Sequence, residues 1–407
     1  MSDLALAVRN LWRHRIRSGI ALAAILFGVV ALLLSGGFIE WVFFAMREAT
    51  IESRFGHIQA VRPGYFKFGT ADPYRYLLPE KSPALANIEG VPEVRLVTPR
   101  IAFGGLISFG ETTVSFLGEG ADPTKEAIIG RQLHITQGEQ LSSSDAHGLI
   151  LGEGLANNLG AKTGDRVVLV TTTESGSINA VEARVRGIFY TSTKAFDDVA
   201  LRTPMGMAQS LLRTTGTHVW VVLLRNTDET DIALTKLKAD LPSNKSGLEF
   251  VSWNQLDEFY NRTVSLFSRQ FNVVKFILAM IILLSVSNTL TMTVLERTNE
   301  IGTLMAIGLR KSKILRIFIA EGIVLGLSGG AIGLIIGLAL ASIISQIGIP
   351  MPPPPGMQRG FIGEIRVTLT LAFNSFAFAG VSAIAASIYP AWKASRLPIV
   401  DALRHSR

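Results

Sequence analysis

The sequence contains no cysteine. This absence excludes a disulfide-stapled scaffold, a zinc site built on thiolates and a cysteine nucleophile. Histidine is scarce as well, and its six copies form neither a His-x-His nor a His-x-x-x-His pair, so the sequence predicts no metal centre. Charged residues make up 17% of the chain, whereas a soluble domain carries about 25%. A shortage of charge beside 48% apolar residues favours a membrane protein.

Positive charge is concentrated outside the central part of the 407-residue chain. Residues 47–269 carry 23 Lys and Arg against 25 Asp and Glu, whereas the remaining residues carry 16 basic and 7 acidic groups. Nucleic-acid binding requires a basic face on the folded part of a protein, and the central part here is nearly neutral. We therefore expect no nucleic-acid partner.

Four segments are long and apolar enough to cross a membrane. A spanning helix needs about 20 apolar residues, and residues 18–39, 276–295, 317–349 and 367–392 each meet that length with at most one charge. Buried helices of a soluble protein would show polar residues every third or fourth position, and these segments do not. The first run exceeds the apolar region of a cleaved signal peptide, so we expect it to stay as an anchor.

Basic residues predict the orientation of the spans. Lys and Arg exceed Asp and Glu by three before the first span, between the second and third, and after the fourth, and such loops face the cytoplasm. The predicted organisation is a cytoplasmic segment at 1–17, spanning helices at 18–46, 270–295, 317–349 and 367–392, an extracytoplasmic domain at 47–269, a cytoplasmic connection at 296–316, an extracytoplasmic Pro-rich loop at 350–366 and a cytoplasmic tail at 393–407. The predicted fold class is thus an α-helical membrane protein with four transmembrane helices and a large domain between helices 1 and 2.

The inserted domain is predicted to be mixed α/β. Alternating or β-rich stretches indicate strands at 56–61, 94–97, 113–117, 165–171, 181–189 and 218–224, and helical patterns lie at 152–159, 204–212 and 229–241. Ser143, Ser144 and Asp145 lie near His147, but no nucleophile elbow accompanies them, so we interpret them as a solvated turn. The sequence predicts no catalytic residue and no enzymatic activity for this chain.

Small residues recur at helical spacing in the third span. Gly322, Gly326 and Gly330 form one series four residues apart, and Gly333 and Gly337 belong to a second. Glycine lets the backbones of membrane helices approach closely, so we expect helix packing there; a substrate groove is the alternative. Glu321 is predicted to pair with a nearby base such as Arg316 or to reach the interface.

The connection between the second and third spans is short and amphipathic. Its apolar positions are able to fill a groove on a partner while its charged positions contact the rim, but the pattern fits equally well a helix lying among lipid headgroups. The apolar set is Ile301, Leu304, Met305 and Ile307, and the charged set is Glu296, Arg297, Glu300 and Arg310.

The chain contains no Gly-x-x-x-x-Gly-Lys-Ser/Thr phosphate loop, so it does not hold ATP in that way. The connection resembles a cytoplasmic motif of the FtsX-like (MacB/Lol-type) permeases of ATP-binding-cassette transporters. The matching positions are Arg297, Glu300, Ile301, Gly302, Ala306 and Gly308. The sequence YPAWKASRLPIVDALR at 389–404 is similar to the family's ending, and the order of spans around a large outer domain is similar too. Within the family, stretches at 56–59, 151–156 and 187–189 look closest to lipoprotein-releasing permeases.

The resemblance implies a function for the whole assembly. It implies a dimer of permease chains, either identical or paralogous, with two separate ATPase subunits that bind ATP and magnesium, while this chain holds no cofactor. The coupling segment would comprise Arg297, Glu300, Ile301, Gly302, Met305, Ala306, Gly308 and Arg310, and it would pass the motion of the ATPases to the outer domain by mechanotransmission. The implied location is the bacterial inner membrane, in contact with lipid and with a periplasmic adaptor or lipoprotein chaperone as a further partner.

Two other functions remain open at this level. The chain is expected to serve extraction or export of a lipoprotein or another amphiphile. A macrolide or peptide exporter would share most of these features. A non-transporting regulator that activates an envelope hydrolase has the same sequence signals, and only an assay that separates cargo movement from activation of an outer partner distinguishes it.

Overall fold

The computed structural model describes residues 9–10, 13, 15–69, 71–79, 82–130, 133–191, 193–353, 359–396 and 398. Most of the predicted segment 1–17, the middle of the Pro-rich loop 350–366 and most of the tail 393–407 lie outside the described residues. The chain divides into two compact units. We call residues 1–44, 263–351 and 362–407 the helical unit, and residues 45–262 and 352–361 the sheet unit.

Within the described ranges the chain forms four long helices and many short elements, most of which lie between the first two long helices. The α-helices are α1 Arg15–Thr50, α2 Tyr65–Phe68, α3 Pro83–Glu89, α4 Pro123–Ile129, α5 Glu153–Leu159, α6 Lys194–Asp197, α7 Met205–Leu212, α8 Thr230–Asp240, α9 Ser243–Ser246, α10 Trp253–Leu256, α11 Glu258–Glu296, α12 Thr298–Ala306, α13 Lys311–Ile347 and α14 Leu369–Ser395. A π-turn, Ile51–Phe55, continues α1, and 3₁₀ turns occupy Pro73–Tyr76 and Thr227–Glu229.

The strands belong almost entirely to the segment between α1 and α11. They are β1 Ile58–Val61, β2 Val94–Phe109, β3 Thr112–Ala121, β4 His134–Gly138, β5 Gly148–Gly152, β6 Arg166–Thr172, β7 Ile178–Tyr190, β8 Ala200–Pro204, β9 Val219–Leu224, β10 Glu249–Ser252, β11 Ile349–Met351 and β12 Phe361–Gly363. The last two pair with each other, so the predicted Pro-rich loop is flanked by short strands.

Helices α1, α11, α13 and α14 are each long and apolar enough to cross a membrane. In lipid there is no water to bond the backbone N–H and C=O groups. These groups therefore bond to one another within each segment, which makes it a helix. Apolar side chains also fill the contact between these helices: Ile25 and Val29 of α1, Ile282 of α11 and Ala379 and Ala383 of α14 are fully buried in one cluster. With the mixed α/β unit that follows α1, this architecture agrees with the predicted fold class.

The glycines of α13 lie where neighbouring backbones come close. A Cβ atom at Gly322 would stand 2.6 Å from Ser387 Cβ, and one at Gly330 3.0 Å from the ring of Phe376, both on α14. On another side of α13, a Cβ at Gly333 would meet Val29 Cβ at 2.9 Å and one at Gly337 would meet Leu33 at 2.6 Å, both on α1. Gly326 contacts α14 through Ala383 and Gly380. In the described part of α13, one glycine series therefore contacts α14 and the other contacts α1.

Strands β1–β10 form one sheet in the order β10-β1-β9-β2-β3-β8-β5-β7-β4, and β6 pairs with β2 and β7. Strand β3 runs antiparallel to β2 and parallel to β8. Its Glu119 lies opposite Ala102 on β2 and opposite Arg202 on β8. This register places side chains of β2, β3 and β8 beside one another.

Two apolar clusters hold the helices of the sheet unit on its strands. Leu155 of α5 and Leu211 of α7 are buried with Ile101, Leu169 and Val185 of the sheet. The second cluster joins α3 and α8 to the other end of the sheet, and its members include Ile88, Leu237, Trp220, Val222 and Phe250. Trp220 and Val222 of β9 belong to this cluster, whereas Val221 and Leu223 belong to another, because successive side chains of a strand point to opposite faces of the sheet.

Candidate functional site

The predicted coupling segment forms the short helix α12 between the second and third long helices. Its end is fixed by two backbone bonds, from Gly308 N to Met305 O (3.0 Å) and from Leu309 N to Leu304 O (3.0 Å). This pair is a Schellman motif, which needs a left-handed residue directly after the helix. Gly308 supplies it with φ +100°, and the chain then turns into α13, for which Arg310 is the N-cap residue.

One face of α12 is buried within the helical unit. Ile301 and Met305 are 3% and 8% exposed, and they pack with Val294, Ile314 and Phe318. The prediction that these two side chains fill a groove on a partner is therefore wrong, because residues four apart on a helix share a face and this face is turned inward. Gly302 is buried beside them.

The opposite face of α12 remains open. Leu304 and Ile307 are 42% and 81% exposed. Ala306, Gly308 and Arg310 are exposed as well, and Glu300 is largely so. Half of the predicted apolar set is thus exposed, including Ile307 at the end of the helix.

A polar network ties α12 to two other elements of the helical unit. Arg297 donates to Glu300 (3.0 Å) and to Glu321 of α13 (3.2 Å). Arg13 donates to Glu300 at 3.0 Å, and the Asn10 amide donates to Glu321 at 2.8 Å. The network therefore joins the segment before α1, the start of α12 and the first turns of α13. Arg17 and Glu296 form a further ion pair beside it.

Glu321 pairs with a base, as predicted, but the base is not Arg316. Glu321 is 1% exposed, so it does not reach the interface, and it pairs with Arg297 instead of Arg316. Arg316 lies five residues away along α13, where helical spacing carries it to another face. In the connection itself, the hydrogen bond from Arg297 holds the pKa of Glu300 below its ordinary value, so Glu300 is an anion at neutral pH.

A cavity of about 490 Å³ lies between α1, α11 and α14 in the helical unit. Its lining is mixed: Glu40, Lys275 and Asn374 supply polar groups, and Phe271 and Phe378 supply apolar surface. The Lys275 ammonium lies 4.5 Å from the centre of the Phe271 ring. Lys275 precedes the end of α11 by a helical length of about 30 Å, so the cavity lies at the end of the bundle opposite to α12.

Sequence reasoning did not find several of these groups. Arg13 contributes only to the positive charge counted before the first span, and Asn10 is uncharged. Nothing local signals that either side chain meets a residue some three hundred positions away. Glu40 and Lys275 stand at the ends of apolar runs, where a charge normally only marks the interface. Within the described ranges, no group of three or more histidine and acidic side chains is placed to hold a metal ion.

These features define the class of protein: it is a multi-span membrane permease with a mixed α/β domain inserted after its first helix. Residues 18–239 match the model of the MacB-like periplasmic core domain, which covers more than half of the chain, and residues 272–399 match the FtsX-like permease C-terminal model. The chain belongs to the family of FtsX-like, MacB-type permeases of ATP-binding-cassette transporters, and the predicted family and fold class are confirmed.

Curated relatives align along almost the whole chain. The macrolide export ATP-binding/permease protein MacB of Chromobacterium violaceum is 26% identical over 96% of this chain. The pyoverdine export ATP-binding/permease protein PvdT of Pseudomonas fluorescens is 24% identical over 98% of it. In both cases the chain spans 58% of the relative's length. Among solved structures, the periplasmic region of MacB from Actinobacillus actinomycetemcomitans is 14% identical and covers 52% of this chain with a TM-score of 0.36.

Proposed function

We propose that this chain is a permease subunit that couples ATP hydrolysis by a separate ATPase subunit to the extraction or export of an amphiphile. The observation that carries the proposal is the outward face of α12, where Leu304 and Ile307 are exposed on a helix anchored from behind. An apolar face held rigidly in this way suits a groove on an ATPase. Headgroup binding would need no anchor between α12 and α13.

The anchor gives a route for the motion. When the ATPase moves α12, Arg297 and its ion pairs with Glu300 and Glu321 move the start of α13 with it. Two ATPase copies on a pair of permease chains, identical or paralogous, would move both bundles together. The excess of Lys and Arg in these segments supports a cytoplasmic location for α12 and both termini, and the membrane that we propose is the bacterial inner membrane. A periplasmic adaptor or lipoprotein chaperone is the expected outer partner.

The cavity at the other end of the bundle indicates the class of cargo. A lining with one carboxylate, one ammonium and several aromatic rings suits a molecule with an apolar body and a polar head. A lipoprotein's acylated end has this character. The names of the relatives, which refer to macrolide and pyoverdine export, favour a small amphiphile as the second candidate.

The coupling claim is tested with a pair of matched substitutions. Ile307→Glu places a charge on the outward face of α12, and Ile232→Glu makes the same change at an exposed site on α8 (55% exposed). We expect Ile307→Glu to weaken binding of the co-expressed ATPase at least about tenfold, the effect of about 1.4 kcal/mol, and Ile232→Glu to leave it unchanged. Equal binding of both variants would remove α12 from the interface.

The cargo is tested in reconstituted nanodiscs and vesicles. Release of a fluorescent triacylated lipopeptide into solution upon ATP addition supports lipoprotein extraction, whereas ATP-driven uptake of a macrolide into inverted vesicles supports small-molecule export. Lys275→Leu should impair whichever transport is found, because it removes the cation from the cavity. ATP hydrolysis that moves neither probe but raises the activity of an outer hydrolase would assign the regulatory function.

A further inference from the structure

The end of α1 lies in the sheet unit, and its last carbonyl groups are bonded by side chains from the sheet. A helix end leaves four carbonyl groups without an intrahelical partner. Here the π-turn after α1 closes with a bond from Gly56 N to Ile51 O (3.0 Å). The last three carbonyls of this turn, at Ser53, Arg54 and Phe55, accept from Arg202, Arg100 and Gln59 in that order.

Two of these donors are buried arginines on different strands. Arg202 of β8 is 2% exposed and donates from Nη2 to Ser53 O at 2.8 Å. Arg100 of β2 is 5% exposed and donates to Arg54 O. Positive charge at the carboxyl end of a helix also offsets the partial negative charge of its carbonyls. The arginines thus satisfy this helix end electrostatically as well as by hydrogen bonds.

Two carboxylates hold the arginines in place. Arg100 forms a double contact with Glu126 of α4, through Nε (2.7 Å) and Nη2 (2.9 Å). Arg202 bonds from Nε to Glu119 of β3 at 2.9 Å and from Nη1 to Glu126 at 3.3 Å. Burial alone would raise the pKa of the Glu119 carboxyl, but neighbouring guanidiniums, that of Arg202 first, hold it below its ordinary value.

Stability alone does not explain so many buried charges. A buried ion pair is replaced by apolar residues of similar volume with little loss of stability in many proteins. A guanidinium does something that an apolar side chain does not, because its planar fork bonds a carboxylate and a carbonyl at once in a fixed geometry. The arrangement therefore fixes the direction of the helix end relative to strands β2, β3 and β8.

We infer that Arg100 and Arg202, held by Glu126 and Glu119, form a joint through which displacement of α1 reaches the sheet. We call this set the arginine joint. The inference rests on the proposed function, since it assumes that ATP moves the helical unit. It assigns Arg100 and Arg202 as positioning residues, which contact neither cargo nor ATPase and act through the backbone of residues 53–54.

The test compares two double substitutions, each of which replaces one arginine and its glutamate partner by methionine. Arg202→Met with Glu119→Met removes the Ser53 contact and leaves the Arg100–Glu126 pair. Arg186→Met with Glu139→Met is the control, because Arg186 likewise pairs with a glutamate (2.5 Å) and donates to a carbonyl, that of Gln140 (2.7 Å), but makes no contact with α1 among its described bonds. The full chain with its ATPase is studied in nanodiscs by hydrogen exchange, with and without ATP and vanadate.

In the wild type we expect ATP to change exchange in the peptides of α12, of residues 51–56 and of strands β8 and β5, which pair with each other. In the joint variant the change at α12 should persist and the change at β8 and β5 should disappear, because the replaced Arg202 lies on β8. Amides at 51–56 should exchange about tenfold faster, as expected for loss of one charge-assisted hydrogen bond. The control should match the wild type throughout.

The two hypotheses fail in different ways. If the joint variant keeps the wild-type change at β8 and β5, the inference about the arginine joint is wrong and the proposed function still stands. A wild type that shows no change at α12 overturns the proposed function and the joint together. If the methionine pair does not fold, Arg202→Lys replaces it, because lysine keeps the charge but lacks the planar fork. An undiminished response at β8 and β5 in that variant would also contradict the arginine joint.

Discussion

Arg297 and Glu321 are 24 residues apart in sequence, and their side chains meet with Nη1 3.2 Å from Oε1. Glu321 is 1% exposed, and its second oxygen, Oε2, has no hydrogen-bond partner among the described residues. The pair therefore depends on a single guanidinium contact and on the Asn10 amide.

Arg297→Met is expected to destabilise the helical unit by about 3 kcal/mol, because it leaves a buried carboxylate without its cation. Glu321→Gln in the same chain should recover most of the loss, since a neutral amide still accepts from Asn10. Thermal unfolding of the full chain in detergent measures both. An Arg297→Met chain as stable as the wild type would show that the pair does not hold α12 to α13.

Gly308→Ala is expected to lower stability by about 1 kcal/mol, because φ at this position is +100° and a Cβ strains that conformation. Gly206→Ala is the matched control: Gly206 is helical, and nothing lies within 4 Å of the position its Cβ would take. That change should be neutral or slightly stabilising. Equal unfolding midpoints for the two variants would contradict the role of Gly308 in ending α12.

Gly333→Ala is expected to cost about 1–3 kcal/mol through overpacking, because the new Cβ would stand 2.9 Å from Val29 Cβ and 3.1 Å from Leu26 O. Backbone atoms of α1 are unable to move aside as a flexible side chain does. Gly380→Ala on α14, where a Cβ meets nothing within 4 Å, is the control. Unfolding midpoints in detergent compare the two, and tolerance of Gly333→Ala would mean that α1 and α13 separate more easily than their contacts suggest.

Acid should weaken the sheet unit through His57. Burial first, and the positive charge of Arg47 second, lower the pKa of His57 to about 4. Its Nδ1 accepts from Leu224 N (3.1 Å), so the neutral ring carries its proton on Nε2, which lies 3.0 Å from Thr227 Oγ1. Between its ordinary pKa and about 4, the unfolded chain binds a proton that the folded chain does not, so stability falls as pH falls.

His57→Asn should therefore flatten the pH dependence of the free energy of unfolding. Relative to this variant, the wild type should lose up to about 3 kcal/mol between pH 7 and pH 4. His147→Asn, at an exposed position, serves as the control. Parallel curves for the wild type and His57→Asn, measured by denaturant unfolding in detergent, would refute the assignment.

Long elements were the ones that the sequence predicted well. The four apolar runs mark α1, α11, α13 and α14, because nothing else explains 20 uncharged residues in a row. Strands β5 and β8 were not predicted. Each is five residues long, fully buried and followed at once by a helix, so neither shows the two-residue alternation that marks a strand.

The candidate site was predictable in its location but not in its orientation. The motif around Glu300 and Gly308 identifies α12, but which of its faces is buried depends on its contacts with α13 and with the segment before α1, and that segment lies far away in sequence. No feature of the sequence indicated the contacts that Arg100 and Arg202 make with the end of α1. A single arginine inside an apolar strand looks the same in sequence whether it points to solvent or to the end of a helix.

The two glycine series of α13 also determine where that helix tolerates mutation. Positions such as 322 and 333 accept no bulk, whereas Ile335 and Ile343 are 68% and 53% exposed and should accept any apolar residue. Saturation mutagenesis along this helix should therefore produce two intolerant stripes separated by permissive ones. The positions of those stripes around the helix would show which faces of α13 contact its neighbours in the bundle, and mutant phenotypes would be the only data required.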